Sequence, residues 1–159
     1  MPRFRPTARL LVLDPADRIL LFSAEDPRGR FWFTPGGGVR AGESPVAAAA
    51  RELAEETGHI RTELGLPVAT SAGLWEAPDG QVFFGADSYF LVRVSKPSVD
   101  PGGQEPLERS VITGHRWWTA GELRASSEVI IPPGLGGLVE RLLSGVPAAA
   151  VRLPWRSES

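Results

Sequence analysis

The stretch Gly37–His59, GGVRAGESPVAAAARELAEETGH, holds one helix with both ends marked. Ser44 supplies a side-chain oxygen for the unpaired N–H groups of a first turn, and Pro45 suits that turn because no N–H is needed there. Gly58 tolerates the left-handed backbone that stops a helix. The spacing therefore predicts a helix over Pro45–Thr57. At about 100° per residue, Val46, Ala49, Ala50, Leu53 and Thr57 gather on one side, suited to face a sheet, and Glu52, Glu55 and Glu56 on another.

Those glutamates stand at i, i+3 and i+4, a turn apart on one face, where like charges repel by roughly 0.2–0.5 kcal/mol per pair. Arg51 lies to one side and can pair with Glu55 at i+4. A hard divalent cation relieves the repulsion better, because Mg²⁺ prefers carboxylate and water oxygens and bridges readily to phosphate. A solvated helix face is the bland reading of the same residues. Upstream, Gly36-Gly37-Gly38 lets the backbone turn sharply and approach a ligand closely.

Outward from this helix the chain alternates apolar runs with turn residues. Thr7–Leu13 and Arg18–Phe22 flank Asp14-Pro15-Ala16-Asp17 and predict a β-hairpin. Glu25–Arg30 is polar, carries Pro27 and Gly29, and reads as a loop before a short strand at Phe31–Phe33. Strands are predicted at Val68–Trp75 and Gln81–Val94 around a Pro78-Asp79-Gly80 turn, with a weaker one at Val111–Trp118. Gly121-Glu122-Leu123 begins a short helix, and Leu135, Leu138, Val139 and Leu142 recur at helical spacing over Gly134–Ser144. In the tail beyond, the sequence leaves docking through Trp155 and disorder both open.

The composition bounds what this architecture can do. With 159 residues, 42% of them hydrophobic, the chain suits one core. Gly 18 and Pro 15 make up roughly a fifth of it, short of the roughly 25–30% that marks low complexity. A net charge of −2 gives no reason to expect long nucleic acid. Without cysteine there is no disulfide and no thiolate ligand, and His59 and His115 are too few for an imidazole-built zinc centre. The N-terminal apolar run ends at Asp14-Pro15, too early for a signal-peptide core, and no stretch is long enough to span a bilayer. A cytoplasmic protein with no membrane partner is expected.

From Gly37 the residues resemble the Nudix signature G-x5-E-x7-R-E-U-x-E-E-x-G-U, where U is bulky and apolar. Gly37, Glu43, Arg51, Glu52, Leu53, Glu55, Glu56 and Gly58 match it. His59 departs at the last position, with a plain explanation as a helix-terminal residue near the negative end of the dipole. Trp32 and Pro35 before the glycines, and Arg116-Trp117-Trp118 with Glu122-Leu123, resemble segments common in that family.

The resemblance implies an α/β Nudix fold, a mixed β-sheet sandwiched between α-helices, as a hydrolase domain over residues 1–146 with a tail at 147–159. It implies Glu52, Glu55 and Glu56 as catalytic and metal-holding carboxylates, with Glu52 the first choice of base and the Gly37 carbonyl as a further ligand. Arg51 and Glu43 are expected to be structural, the arginine fixing the glutamates. A further acid from outside the box is expected at Glu108, or else Glu105. The cation is Mg²⁺, or Mn²⁺ in its place.

The implied reaction is attack of metal-activated water on a diphosphate bond in a small nucleotide, a nucleoside diphosphate linked to another moiety. Trp75, Phe83, Phe84 and Tyr89 are candidates to stack on a base, although strand aromatics belong to the core more often. Arg9, Arg28 and Arg40 are candidates for phosphate contact. A sensor that binds nucleotide derivatives without cutting them is the alternative, and monomer and homodimer stay open.

Overall fold

Successive side chains of a strand point to opposite faces, and here both faces are buried. Ala8, Leu10, Val12, Leu20 and Phe22 pack with Ala48, Ala49 and Leu53. Leu11, Leu13, Ile19 and Leu21 pack on the other side with Leu135, Leu138, Val139 and Leu142. This explains why Leu10–Leu13 and Ile19–Phe22 are unbroken apolar runs rather than alternating ones. Truncating any of these leucines to alanine costs about 2–5 kcal/mol, transfer energy plus the cavity left behind.

The computed structural model describes residues 1–100, 102 and 111–155. Its strands are β1 (Arg3–Leu13), β2 (Ile19–Asp26), β3 (Gly29–Phe33), β4 (Gly36–Gly38), β5 (Ala69–Glu76), β6 (Val82–Arg93), β7 (Ile112–Trp118), β8 (Val129–Ile131) and β9 (Val151–Arg152). The helices are α1 (Pro45–Thr57), α2 (Ala120–Ala125) and α3 (Leu135–Ser144). Among the described residues the strands form one 9-stranded sheet ordered β8-β3-β2-β1-β6-β5-β9, with β4 on β1 and β7 on β2. It is mixed: β1–β6, β3–β8 and β5–β9 are parallel and the remaining pairs antiparallel. With α1 over one face and α2 and α3 over the other, the expected α/β sandwich is what forms. Among the described residues no helix is long and apolar enough to cross a membrane.

The predicted hairpin forms its turn but not its ladder. Asp14 Oδ1 accepts from the backbone N–H groups of Ala16 at 3.0 Å and Arg18 at 2.9 Å, while Asp17 takes a left-handed φ of 59°. Past the pair Leu13↔Ile19 the strands part, β1 pairing with β6 and β4, β2 with β3 and β7. A cleft opens between the two halves of the sheet.

Glu25–Arg30 is not a loop. Asp26 pairs with Gly29 across a tight turn at Pro27-Arg28, and Asp26 Oδ1 accepts the Arg28 N–H at 2.8 Å. At the C-terminal end Trp155 docks. β9 runs beside β5, and the indole covers the cross-strand pair Gly73↔Gly85, where a Cβ on Gly85 would stand 3.1 Å from Trp155 Cζ2.

Candidate active site

Helix α1 begins and ends where its sequence says. Ser44 Oγ accepts from the Ala47 N–H at 3.2 Å, and Gly58, at φ 78°, donates its N–H to the Ala54 carbonyl. The faces differ from those expected. Ala48, Ala49 and Leu53 form the buried stripe while Val46 points outward, 38% exposed. The helix is therefore rotated so that Glu52 and Glu56 turn inward, 3% and 4% exposed. Glu55 is left half-buried.

What they turn toward is the glycine run. β4 pairs with β1 at Thr7↔Gly38, Ala8↔Gly37 and Arg9↔Gly36. Gly36 has φ 139°, and its N–H donates to Glu56 Oε2 at 2.8 Å. A Cβ on Gly37 would stand 2.9 Å from Glu52 Cδ, so this carboxylate lies directly on the backbone because no side chain intervenes.

Arg51 joins the acidic residues rather than sitting beside them. Its Nε and one terminal nitrogen donate to the two oxygens of Glu43, each at 2.9 Å, a fork-to-fork pair. The other terminal nitrogen donates to Glu52 Oε1 at 2.9 Å and Glu55 Oε2 at 3.3 Å, while the one paired with Glu43 also donates to the Gly38 carbonyl at 3.0 Å. The Arg51 fork, with help from the Arg40 N–H at 3.1 Å, holds the Glu43 carboxyl down at about 2. In turn the Glu43 hydrogen bonds push the guanidinium still further above its ordinary value.

Among the described residues no three acidic or histidine side chains yet converge as a metal site. The donor set is nonetheless all oxygen: Glu52 and Glu56 reach the backbone of Gly37 and Gly36, and Glu55, on the same helix, is held beside them by Arg51. That chemistry suits a hard cation. Glu105 and Glu108 lie outside the described residues. His59 follows the Gly58 cap, and its Nε2 is bonded to the Ser98 carbonyl at 2.8 Å.

The cleft between the sheet halves holds a cavity of about 350 Å³ next to Gly36, since Arg9, its cross-strand partner, is in the wall. Of the candidate arginines, Arg9 lines this cavity, Arg28 lies further out along the cleft, and Arg40 stands 3.9 Å from Glu55. Of the candidate aromatics Tyr89 lines it, Trp75 and Phe83 stack on each other at 4.7 Å, and Phe84 stacks on exposed Phe4.

Sequence reasoning missed Asp87, Phe31 and Phe33 in the cavity wall. Asp87 is 6% exposed and accepts from Thr7 Oγ1 and, at 3.5 Å, from Ser71 Oγ. Its signal was there to read: a single acid in the middle of the apolar run VFFGADSYFLV.

Comparison with known proteins gives the same picture. A family model described as "NUDIX domain" matches residues 3–134. The chain is 30% identical over 120 residues to a putative 8-oxo-dGTP diphosphatase of Bacillus subtilis (strain 168), covering 73% of the chain and 67% of that protein. It is 54% identical over 44 residues to an octanoyltransferase of Myxococcus xanthus, covering 28% of the chain but only 12% of that relative. The solved structure of a MutT protein from Methanosarcina mazei Go1 has the same fold, with a TM-score of 0.64 at 17% identity, over 90% of this chain and 95% of that one.

Proposed function

The chain belongs to the Nudix family, and on that premise we propose that it is a Mg²⁺-dependent pyrophosphohydrolase acting in the cytoplasm, with Mn²⁺ able to replace Mg²⁺. Its substrate is a nucleoside diphosphate linked to another moiety. The observation that supports this best is the Arg51 fork, which gathers Glu43, Glu52 and Glu55 beside Gly38, on the short strand whose Gly36 pairs with Arg9 of the cavity wall.

Glu52, Glu55, Glu56, the Gly37 carbonyl and Glu108 are the groups that would hold the cation. When bound, it neutralises charge on the phosphate oxygens and lowers the pKa of a water. Glu52 accepts the proton of the attacking water as the new O–P bond forms and the bridging P–O bond breaks. Arg51 keeps the Glu52 carboxylate in place through its 2.9 Å hydrogen bond, and Gly36 does the same for Glu56. Arg9 meets phosphate at the cavity wall.

The test is a panel of nucleoside triphosphates, oxidised nucleotides, ADP-ribose, NADH and dinucleoside polyphosphates, with and without Mg²⁺, reading released phosphate and pyrophosphate. Metal-dependent turnover abolished by Glu56→Gln supports the enzyme. A null panel together with measurable metal and nucleotide binding makes the chain a sensor instead.

A further inference from the structure

The cleft opened by the parting of β1 and β2 has a second, outer chamber of about 410 Å³. Asp26, Phe31 and Ile131 belong to the walls of both chambers, so they adjoin. The outer one also meets Trp75, Trp155 and Arg28. Its volume falls in the roughly 300–1,000 Å³ range of small-molecule sites.

Its construction depends on a part of the chain beyond the family match, which ends at residue 134. Leu153 donates its N–H to the Thr70 carbonyl at 2.8 Å, and Val151 donates to the Val68 carbonyl at 2.9 Å, which pins the tail along β5. Trp155, 3% exposed, then covers Gly73 and Gly85, two positions where any side chain would collide with its indole. The next cross-strand pair in the same register is Trp75↔Phe83. Those two rings stack with an interplanar angle of 21°, and the Arg5 guanidinium lies 4.2 Å from the Phe83 centroid. Trp75 is therefore braced on one side and belongs to the chamber wall on another.

We infer that the outer chamber is a binding subsite for a planar heteroaromatic ring of the substrate, with Trp75 as its stacking platform and Trp155 of the C-terminal tail as its specificity-determining wall. This rests on the reading of the chain as a nucleotide pyrophosphohydrolase. A rigid indole offers stacking area at small entropic loss, worth a factor of roughly five to a hundred per ring. Asp26, at the junction of the chambers, provides a carboxylate for ring N–H donors, which favours a nucleobase over a hydrocarbon ring. The Arg28 guanidinium supplies positive charge for an adjoining phosphate. The ring is either the base of the nucleoside diphosphate or one carried by the second moiety.

The experiment reads binding without turnover. Adenosine 5′-monophosphate and guanosine 5′-monophosphate, which contain no diphosphate bond, are titrated into the full chain while the indole N–H resonances are followed by NMR, assigned with Trp75→Phe and Trp155→Phe. A second arm uses a dinucleoside polyphosphate in the absence of divalent metal. The expected result is a shift of the Trp75 and Trp155 signals and an affinity reduced about tenfold in Trp75→Ala, with Trp155→Phe weakened less. A response to mononucleotides assigns the ring to the nucleoside, and a response confined to the dinucleoside assigns it to the second moiety. The inference is overturned if neither ligand moves these signals, or if Trp75→Ala and Trp155→Phe both bind like the wild type. Because hydrolysis is scored separately, a chain that binds rings here and cuts nothing overturns only the pyrophosphohydrolase. One that cuts nucleotides equally well in wild type and Trp75→Ala overturns only the subsite.

Discussion

Arg51 and Glu43 face each other fork to fork, two hydrogen bonds of 2.9 Å joining a residue inside α1 to one in the loop before it. The same guanidinium reaches Glu52 and Glu55, so one cation ties together three carboxylates. Arg51→Ala leaves Glu52 inside the protein with its charge partner gone. Urea unfolding at pH 7 is expected to show a loss of about 2–3 kcal/mol, below the range for fully buried pairs because the Arg51 side chain is 17% exposed. Arg51→Lys is expected to recover less than half of that loss, since an ammonium cannot make the parallel pair.

The pair also sets an acid limit. The Glu43 carboxyl is lowered from 4.5 to about 2 in the folded chain, so it favours the native state at pH values above its unfolded value. That contribution is lost as pH falls from 4.5 toward 2. Thermal melts followed by circular dichroism should have a Tm that drops across this window. In Glu43→Gln the drop should be shallower and the Tm lower at neutral pH.

Gly37→Ala introduces a methyl group where Glu52 Cδ would be 2.9 Å away. The backbone there is tied to Ala8, so the carboxylate is what moves. Turnover is expected to fall on the order of a hundredfold, comparable to removal of one preorganised electrostatic group. Stability should fall by about 1–3 kcal/mol, as for other overpacked sites. Steady-state kinetics alongside a melt separates the two, and turnover equal to wild type would remove Glu52 from the mechanism.

Glu56→Gln keeps an oxygen for the Gly36 N–H, which Glu56 now receives at 2.8 Å, but removes the charge. The fold should survive and the cation should not hold. Mn²⁺ titration followed by electron paramagnetic resonance is expected to show at least tenfold weaker binding, with a circular dichroism spectrum like that of the wild type. Unchanged Mn²⁺ affinity would exclude Glu56 as a ligand.

The helix that carries these residues was readable to the residue, because its ends are signalled locally by Ser44, Pro45 and Gly58. The α3 stripe of Leu135, Leu138, Val139 and Leu142 was equally plain. Less was readable where structure depends on distant partners. The parallel pairing of β1 with β6 leaves no local trace, and the short strand β8 exists by pairing with β3 across the chain. Asp26 and Arg28 have loop-like composition, yet they belong to a tight strand connection. The outward position of Val46 had the same origin, since it accompanies a Glu52 that lies against Gly37, a partner outside the helix's own pattern.

The parting of β1 from β2 bears on how the chain comes off the ribosome. The N-terminal strand finds its full-length neighbour in β6, from Arg3 opposite Phe83 to Leu13 opposite Arg93, and its Thr7 meets Asp87 across 80 residues of chain. Contacts this distant in sequence make folding slow, because a large loop must close before they form. During synthesis the apolar run Leu10–Leu13 has to wait, its edge open, until Arg93 has emerged. The geometry that makes room for a ligand thus also gives the nascent chain an extended interval in which chaperones, or other copies of itself, can reach that strand first.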